Sequence, residues 1–213
     1  MFLLSPANAS GIRAQLIMRD GASFALAKRL RDEGLLLAEV FSFISGLYFR
    51  GKLAYAKAFA KPPAGAPGAL VITACAGLLP PDLLMTREEL CRISAGPVEA
   101  SEPSYRVPLL RDAKILSKLT GKNCQIVLLG SVATPKYVEP LLEVFGDRLV
   151  FPSEFAGRGD MSRGGLMLRC VRNGVELNYV AVRTGERHGV KPPKLAPIIP
   201  RKVERRNAVN PSE

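Results

Sequence analysis

Nine consecutive residues, 157–165, combine the residue types that phosphate and proton chemistry require. They hold four glycines, two arginines and one carboxylate, in the order Gly157-Arg158-Gly159-Asp160-Met161-Ser162-Arg163-Gly164-Gly165. Glycines let a backbone turn tightly and bring its N–H groups close to an anion. Arginines form bidentate hydrogen bonds with phosphate oxygens, and a single aspartate among them is suited to accept or donate a proton. The same composition is also typical of a solvated, flexible approach to a hairpin.

The overall charge favours a polyanionic partner. The 213 residues include 30 Lys+Arg against 19 Asp+Glu, which gives a formal net charge of +11. Such an excess is suited to DNA, RNA or an acidic membrane surface, although a basic protein without such a partner has the same composition. A hydrophobic content of 47% supports a real core.

Several kinds of site are disfavoured by the composition. The four cysteines are scattered without a C-x-x-C pair, which indicates free thiols in a reducing cytoplasm and argues against zinc. The single histidine, His188, lies in a polar, proline-rich region, so a histidine base has no obvious partner. We expect no metal and no cofactor. The longest apolar stretch, 35–49, contains Glu39 and is too short to cross a bilayer, so we expect a cytoplasmic protein.

Apolar runs alternate with helical patterns along the chain. Strands are predicted where an apolar run is bounded by turn residues, at 2–4, 69–75, 125–129 and 148–151. Helices are predicted from their periodicity and caps, at 12–16, 24–31, 86–93, 111–119 and 134–145, with two helical pieces between 36 and 60. This alternation predicts an α/β fold, a single compact domain with a mixed β-sheet flanked by helices.

The sequence from residue 166 onward predicts a hairpin and a tail. Residues 166–172 and 175–182 are expected to be its strands, joined by a two-residue Asn173-Gly174 turn. From residue 183 onward there are five prolines and many charges but little apolar material. We therefore expect a folded domain over 1–185 and a basic, proline-rich tail over 186–213.

Short collinear blocks of the sequence resemble the YaaA-like family of bacterial proteins associated with peroxide stress and DNA binding. Residues 2–8 resemble its L-L-S-P-A-K, and residues 43–51 resemble its F-x-G-x-x-Y-x-G element. Residues 70–84 resemble L-x-I-L-S-G-x-Y-G-L-L-x-P-x-D, and residues 129–137 resemble N-L-A-S-x-E-Y. Residues 157–163 resemble A-R-G-x-M-x-R.

The resemblance implies a compact α/β fold with a positively charged cleft for duplex or distorted DNA, and does not by itself give a reaction. Two departures stand out. The family's lysine after S-P-A is Asn8 here, and its apolar residue before the methionine is Asp160.

The first functional hypothesis is a DNA glycosylase that flips out a modified or damaged base and hydrolyses its N-glycosidic bond. That chemistry needs a carboxylate or amide to place water and to offset charge on the sugar. Asp160 would activate the water, and Asn8 would hold it or read the base. Tyr48 would stack on the base, beside Ser5 and Ser131. Phosphates would be held by six side chains: Arg13, Arg50, Lys52, Arg158, Ser162 and Arg163.

Each of these roles has a structural alternative, and two other functions stay open. Asn8 is also a good helix cap, Asp160 can simply pair with arginines, and Tyr48 can belong to the core. The same charge suits a non-catalytic module that recognises distorted duplex DNA. In either case we expect a monomer. A nucleotide-processing enzyme would instead use Gly130-Ser131 as its phosphate site.

Overall fold

Four parallel strands form the centre of the protein in the computed structural model, which describes residues 1–196. The six strands of the main sheet are, in spatial order, β4 (Leu78–Leu79), β3 (Ala69–Ile72), β1 (Phe2–Leu4), β6 (Ile126–Leu129), β7 (Leu149–Pro152) and β8 (Tyr179–Ala181). The inner four run parallel, whereas β4 and β8 are antiparallel edges. A separate antiparallel ribbon joins β2 (Leu35–Leu36) to β5 (Leu84–Met85).

Helices connect and cover these strands. Within residues 1–196 they are α1 (Ile12–Met18), α2 (Ala25–Asp32), α3 (Leu37–Ser45), α4 (Leu47–Phe59), α5 (Arg87–Ser94), α6 (Pro103–Thr120), α7 (Pro135–Phe145) and α8 (Asp160–Asn173). The predicted α/β fold with a mixed sheet is thereby confirmed.

The central strands consist of apolar residues because both faces of the sheet are covered. Leu3 pairs with Leu70 on one side and Leu128 on the other, and both Leu3 and Leu128 are completely buried. The chain leaves β1 for β3 in one direction and then crosses to β6 and β7 in the other. Right-handed crossovers then place α3 and α4 on one face of the sheet and α6 and α7 on the opposite face.

This order creates a topological switch point between β1 and β6. The connections that follow these two neighbouring strands diverge, which opens a crevice at their carboxyl ends. Ser5 and Gly130 are the residues that immediately follow β1 and β6. The fold therefore places two of the segments singled out in the sequence at one edge of the sheet.

Most predicted elements are found close to their expected positions. The Thr86 hydroxyl accepts from the Glu89 N–H, and the Glu89 carboxylate accepts from the Thr86 N–H, so the predicted capping box is present. The apolar segment after residue 36 does break into two helices, at Gly46, where φ is +57°. Gly51 lies inside α4 and does not interrupt it.

The predicted C-terminal hairpin is wrong. Residues 160–173 form α8, and Gly174 ends it in the left-handed conformation while its N–H bonds to the carbonyls of Cys170 and Val171. An Asn-Gly pair suits a tight turn and a helix C-cap equally, and here it serves the cap. Only Tyr179–Ala181 forms a strand, paired with β7.

The beginning of the predicted tail lies against the rest of the molecule. Residues 186–196 form no helix or strand, but a Cβ added at Gly157 would overlap the Val190 carbonyl oxygen. The remaining tail residues fall outside the described part of the chain. None of the helices between residues 1 and 196 is long and apolar enough to cross a membrane.

Candidate functional site

A cavity of about 780 Å³ opens at the switch point. Its size is within the range of small-molecule sites in proteins. Polar groups from several elements line it, namely Ser5, Asn8, Ser10, Tyr48, Ser131, Lys136, Tyr137 and Asp160. Asp160 and Asn8, the predicted catalytic pair, and Ser5, Tyr48 and Ser131, the predicted base-binding residues, are thus brought to one cavity.

Ser5 lies at the floor of this cavity. Its N–H continues the sheet by donating to the Leu129 carbonyl at 3.1 Å, which fixes its backbone at the end of β1. Gly130 leaves room for the Ser5 side chain, since a Cβ at position 130 would lie 2.9 Å from the Ser5 Cβ and 3.2 Å from its Oγ. The Ser5 hydroxyl is thereby held in place between two neighbouring strands.

Asn8 stabilises a turn at the rim. Its Oδ1 accepts from the Ser10 N–H at 3.1 Å and from the Ser10 hydroxyl at 2.7 Å. The structural alternative for Asn8 is therefore realised, although as a turn residue and not as a helix cap: Gly11 is the N-cap of α1. The side-chain oxygen is occupied by the turn, which leaves the Nδ2 group to contact a ligand.

Tyr48 is buried at the cavity wall, with 6% of its surface exposed. Burial raises the pKa of its phenol to about 12. Arg163 and Ser5 lie beside the hydroxyl and lower that pKa, but neither forms a hydrogen bond of normal geometry with it in the described part of the chain. The prediction of a base stacked on this ring is wrong, because almost no ring surface is accessible and the Lys52 ammonium lies 4.4 Å from its centroid.

Lys52 is completely buried, and its predicted role as a phosphate ligand is wrong. Its Nζ donates to the Ser5 carbonyl at 2.6 Å and to the Ser5 Oγ at 2.9 Å, and it faces the rings of Tyr48 and Phe49. Burial lowers the pKa of Lys52 to about 7, against a smaller opposing effect of Asp160. No surface of this ammonium is left to meet a DNA backbone.

Asp160 is the first residue of α8 and lines the cavity. Its side chain is 68% exposed, and its Oδ1 lies 3.7 Å from Nη1 of Arg163. A carboxylate is favoured at this position because it meets the positive end of the helix dipole. Since the ion pair is long, the Asp160 carboxylate keeps free acceptor capacity toward the cavity.

Arg163 supports the fold, so its predicted phosphate contact is wrong. Its Nε and Nη2 donate to the Phe155 carbonyl at 3.2 and 3.0 Å, and the guanidinium lies over the Phe155 ring at 5.4 Å. The side chain is only 9% exposed. It fixes the turn before α8 and thereby the position of Asp160.

The other predicted phosphate ligands do not form one cluster. Nη1 of Arg158 donates to the Ser162 hydroxyl at 3.2 Å, so each side chain meets part of the other's hydrogen-bonding capacity. Nε of Arg158 is buried without a partner within residues 1–196. Arg50 is exposed, but it follows Tyr48 by two positions and lies on the opposite side of α4. Exposed Arg13 donates to the Phe43 carbonyl at 3.4 Å, two residues before Ser45, which lines the cavity.

Tyr137 was missed by sequence reasoning. It lies on the first turn of α7, lines the cavity and is 5% exposed. Burial raises its pKa, and Tyr48 and Asp160 nearby raise it further. Its position seven residues after Gly130 was available as a signal, because the helix after a central strand begins at the same edge of the sheet.

The comparisons with known proteins give no relative. A scan against protein-family models and searches of curated proteins and of solved structures returned no match. Within residues 1–196, no group of three or more His, Cys, Asp or Glu side chains is placed to hold a metal ion. The function has to be inferred from the geometry of the cavity, and the YaaA-like resemblance stays a prediction.

Proposed function

We propose that the chain binds DNA and hydrolyses the N-glycosidic bond of a modified or damaged base held in this cavity. The observation that carries the proposal is that one cavity is lined by an exposed carboxylate, that of Asp160, and by two buried hydroxyl side chains, those of Ser5 and Tyr48. N-glycoside hydrolysis needs one group that stabilises positive charge on the sugar and others that bind the departing base.

Asp160 supplies the first requirement. Its carboxylate stabilises the oxocarbenium-like sugar and accepts a proton from the attacking water. The nearest cation, Arg163, is engaged with Phe155 and lies 3.7 Å away, so it orients the carboxylate without neutralising it fully. Asp32 shows that an aspartate paired with an arginine can be about as exposed, and Asp160 differs from it by lining the cavity.

Ser5, Ser131 and the Asn8 amide supply the second requirement by binding the polar edge of a base. The Tyr48 hydroxyl supports the same assignment, because a buried polar group without a partner in the described residues costs free energy that a ligand or water offsets. The net charge of +11 attracts the DNA phosphates to the protein over a long range. We infer a cytoplasmic monomer acting on duplex DNA.

A second candidate function rests on the α7 side of the same cavity. Ser131 and Lys136 line it where α7 begins, and an anion binds favourably at a helix N-terminus. This observation favours a free nucleotide as the substrate, with its phosphate at the N-terminus of α7 and its N-glycosidic bond cleaved. The non-catalytic DNA-binding module remains the third possibility, and it makes no use of Asp160.

The test is a panel of duplexes carrying normal, damaged and hypermodified bases, followed by alkali to cleave abasic sites. Strand breaks with one class of base, and none with normal DNA, support the glycosylase. Release of free base from nucleoside monophosphates but not from duplexes supports the second candidate. Tight, salt-dependent binding of duplexes that all stay intact contradicts both and supports the module.

A further inference from the structure

We propose that Ser5 and Lys52 form a proton relay that protonates the departing base: the Ser5 hydroxyl donates to the base, and the Lys52 ammonium replaces that proton. This inference rests on the proposed function and adds the acid that the reaction needs. Asp160 cannot be both the base for water and the acid for the leaving group in one step.

The hydrogen-bond geometry fixes the direction of the relay. An ammonium group can only donate, so the 2.9 Å contact from Lys52 Nζ uses a lone pair of the Ser5 Oγ. The Ser5 hydroxyl hydrogen must therefore point away from Lys52. Ser5 lines the cavity and Lys52 does not, so a base in the cavity meets the hydroxyl and never the amine.

A purely structural role explains Lys52 poorly. It is completely buried, and no carboxylate within residues 1–196 lies within 4.0 Å of its Nζ. An unpaired buried charge is costly, and an apolar residue of similar length would fill the position without that cost. A cation retained at such a position indicates that its proton is used.

The surroundings bring the pKa of the Lys52 ammonium close to neutral pH. Burial lowers the Lys52 pKa to about 7, and Asp160 on α8 raises it by a smaller amount. Arg163 on α8, Tyr137 on α7 and Tyr48 on α4 are the other ionisable groups near this centre. Glu39, the acid of α3, is engaged by Arg29 at 2.9 Å. A donor with a pKa near the working pH gives up and regains its proton readily.

The proposed step is balanced without any further reactant. The bond between the sugar C1′ and the base nitrogen breaks, and its electron pair stays on the base, which takes the Ser5 proton. Lys52 passes a proton to the Ser5 Oγ and becomes neutral. Water forms the new C1′–O bond and gives a proton to Asp160, which releases it to solvent. Lys52 then regains a proton from solvent through the Ser5 hydroxyl. The products are the free base and an abasic sugar.

A leaving group that needs no proton provides the test. In duplex DNA, 7-methylguanine carries a positive charge and departs as a neutral base, whereas an uncharged base requires protonation. We expect Lys52→Met and Ser5→Ala each to slow release of the fastest uncharged substrate at least about tenfold more than release of 7-methylguanine, because both substrates lose the Ser5 contact but only the uncharged base loses its acid. The wild-type rate with the uncharged base should fall above about pH 7, and this fall should be absent with 7-methylguanine.

Equal losses on both substrates, or a pH profile that does not depend on the leaving group, overturn the relay while leaving the glycosylase assignment intact. Ser5→Ala keeps Lys52 in place, so it tests the relay even if Lys52→Met folds poorly. If the wild type releases no base from any DNA, the proposed function fails. An NMR titration of the Lys52 side chain then tests the Ser5–Lys52 proton relay separately. A titration midpoint near pH 7 that shifts in Ser5→Ala supports the relay. A Lys52 side chain that is still charged at pH 9 overturns it.

Discussion

Gly51 on α4 contacts Gly164 on α8 backbone to backbone. A Cβ at Gly51 would lie 2.7 Å from the Gly164 carbonyl oxygen, and a Cβ at Gly164 would lie 2.8 Å from the Leu47 carbonyl oxygen. Both distances are shorter than any real side-chain carbon allows, so only glycine fits at either position. This close approach brings Tyr48 and Lys52 on one helix to the same centre as Asp160 on the other.

Substituting either glycine of this contact should push α4 and α8 apart, and with them the two halves of the site. We expect Gly164→Ala to lower the free energy of unfolding by about 1–3 kcal/mol, because backbone atoms must move to admit the methyl group. Gly165→Ala is the matched control: within residues 1–196 its Cβ would meet only the Leu195 Cδ1, at 3.6 Å, so it should be neutral or slightly stabilising. Urea unfolding of both variants measures this. An equal effect at both positions would contradict the close-packed interface.

Burial of Lys52 predicts a specific pH dependence of stability. Its folded pKa of about 7 lies below the ordinary value of 10.5, so the unfolded chain binds the extra proton between these values. Wild type should therefore gain stability relative to Lys52→Met as the pH rises through this window, by about 2 kcal/mol between pH 7 and 9. Below about pH 6 the difference should become constant. Urea titrations that stay parallel from pH 7 to 9 would show that Lys52 remains charged in the fold.

The buried Tyr48 hydroxyl should cost stability. Since it lacks a hydrogen-bond partner among residues 1–196, Tyr48→Phe should raise the free energy of unfolding by about 1 kcal/mol. The matched control is Tyr105→Phe, which removes a 2.9 Å hydrogen bond to the Lys136 carbonyl and should lower stability by about as much. Thermal unfolding compares the two, and destabilisation by Tyr48→Phe would mean that the hydroxyl is satisfied in solution.

Arg13 should contribute to DNA affinity from the rim of the cavity. It is exposed and donates to the carbonyl of Phe43, two residues before Ser45, which lines the opening. We expect Arg13→Ala to weaken duplex binding several-fold and to reduce the slope of log affinity against log salt by about one. The control is Arg172→Ala, at the far end of α8 from Asp160, about 18 Å along the helix. Similar slopes for both variants would show that DNA does not approach this rim.

Much of the fold could be predicted from the sequence because its signals are local. Buried parallel strands appear as short apolar runs, and the capping box at Thr86 and the break at Gly46 depend on neighbouring residues alone. The same local reasoning failed at Asn173-Gly174, since this pair suits a hairpin turn and a helix C-cap equally. Only the packing of α8 on α4 distinguishes the two.

The candidate site was predictable in its location but not in its roles. Ser5, Asn8, Ser131 and Asp160 follow or precede predicted elements, and the switch point collects them at one edge of the sheet. Whether Lys52 faces solvent or Ser5 depends on how α4 lies over β1, a contact between residues 47 positions apart. Arg163 likewise resembles a phosphate ligand in the sequence until its hydrogen bonds to Phe155 are known.

The role of Asp160 is tested most directly by the single-turnover rate of base release from the best duplex substrate. Asp160→Asn should slow release by about 100-fold or more while duplex affinity changes little, because the amide keeps the shape but cannot accept a proton from water. Asp32→Asn is the matched control, since Asp32 is 60% exposed and also pairs with an arginine. A rate that Asp160→Asn leaves unchanged would contradict the assignment of this cavity as the site of glycosidic bond cleavage.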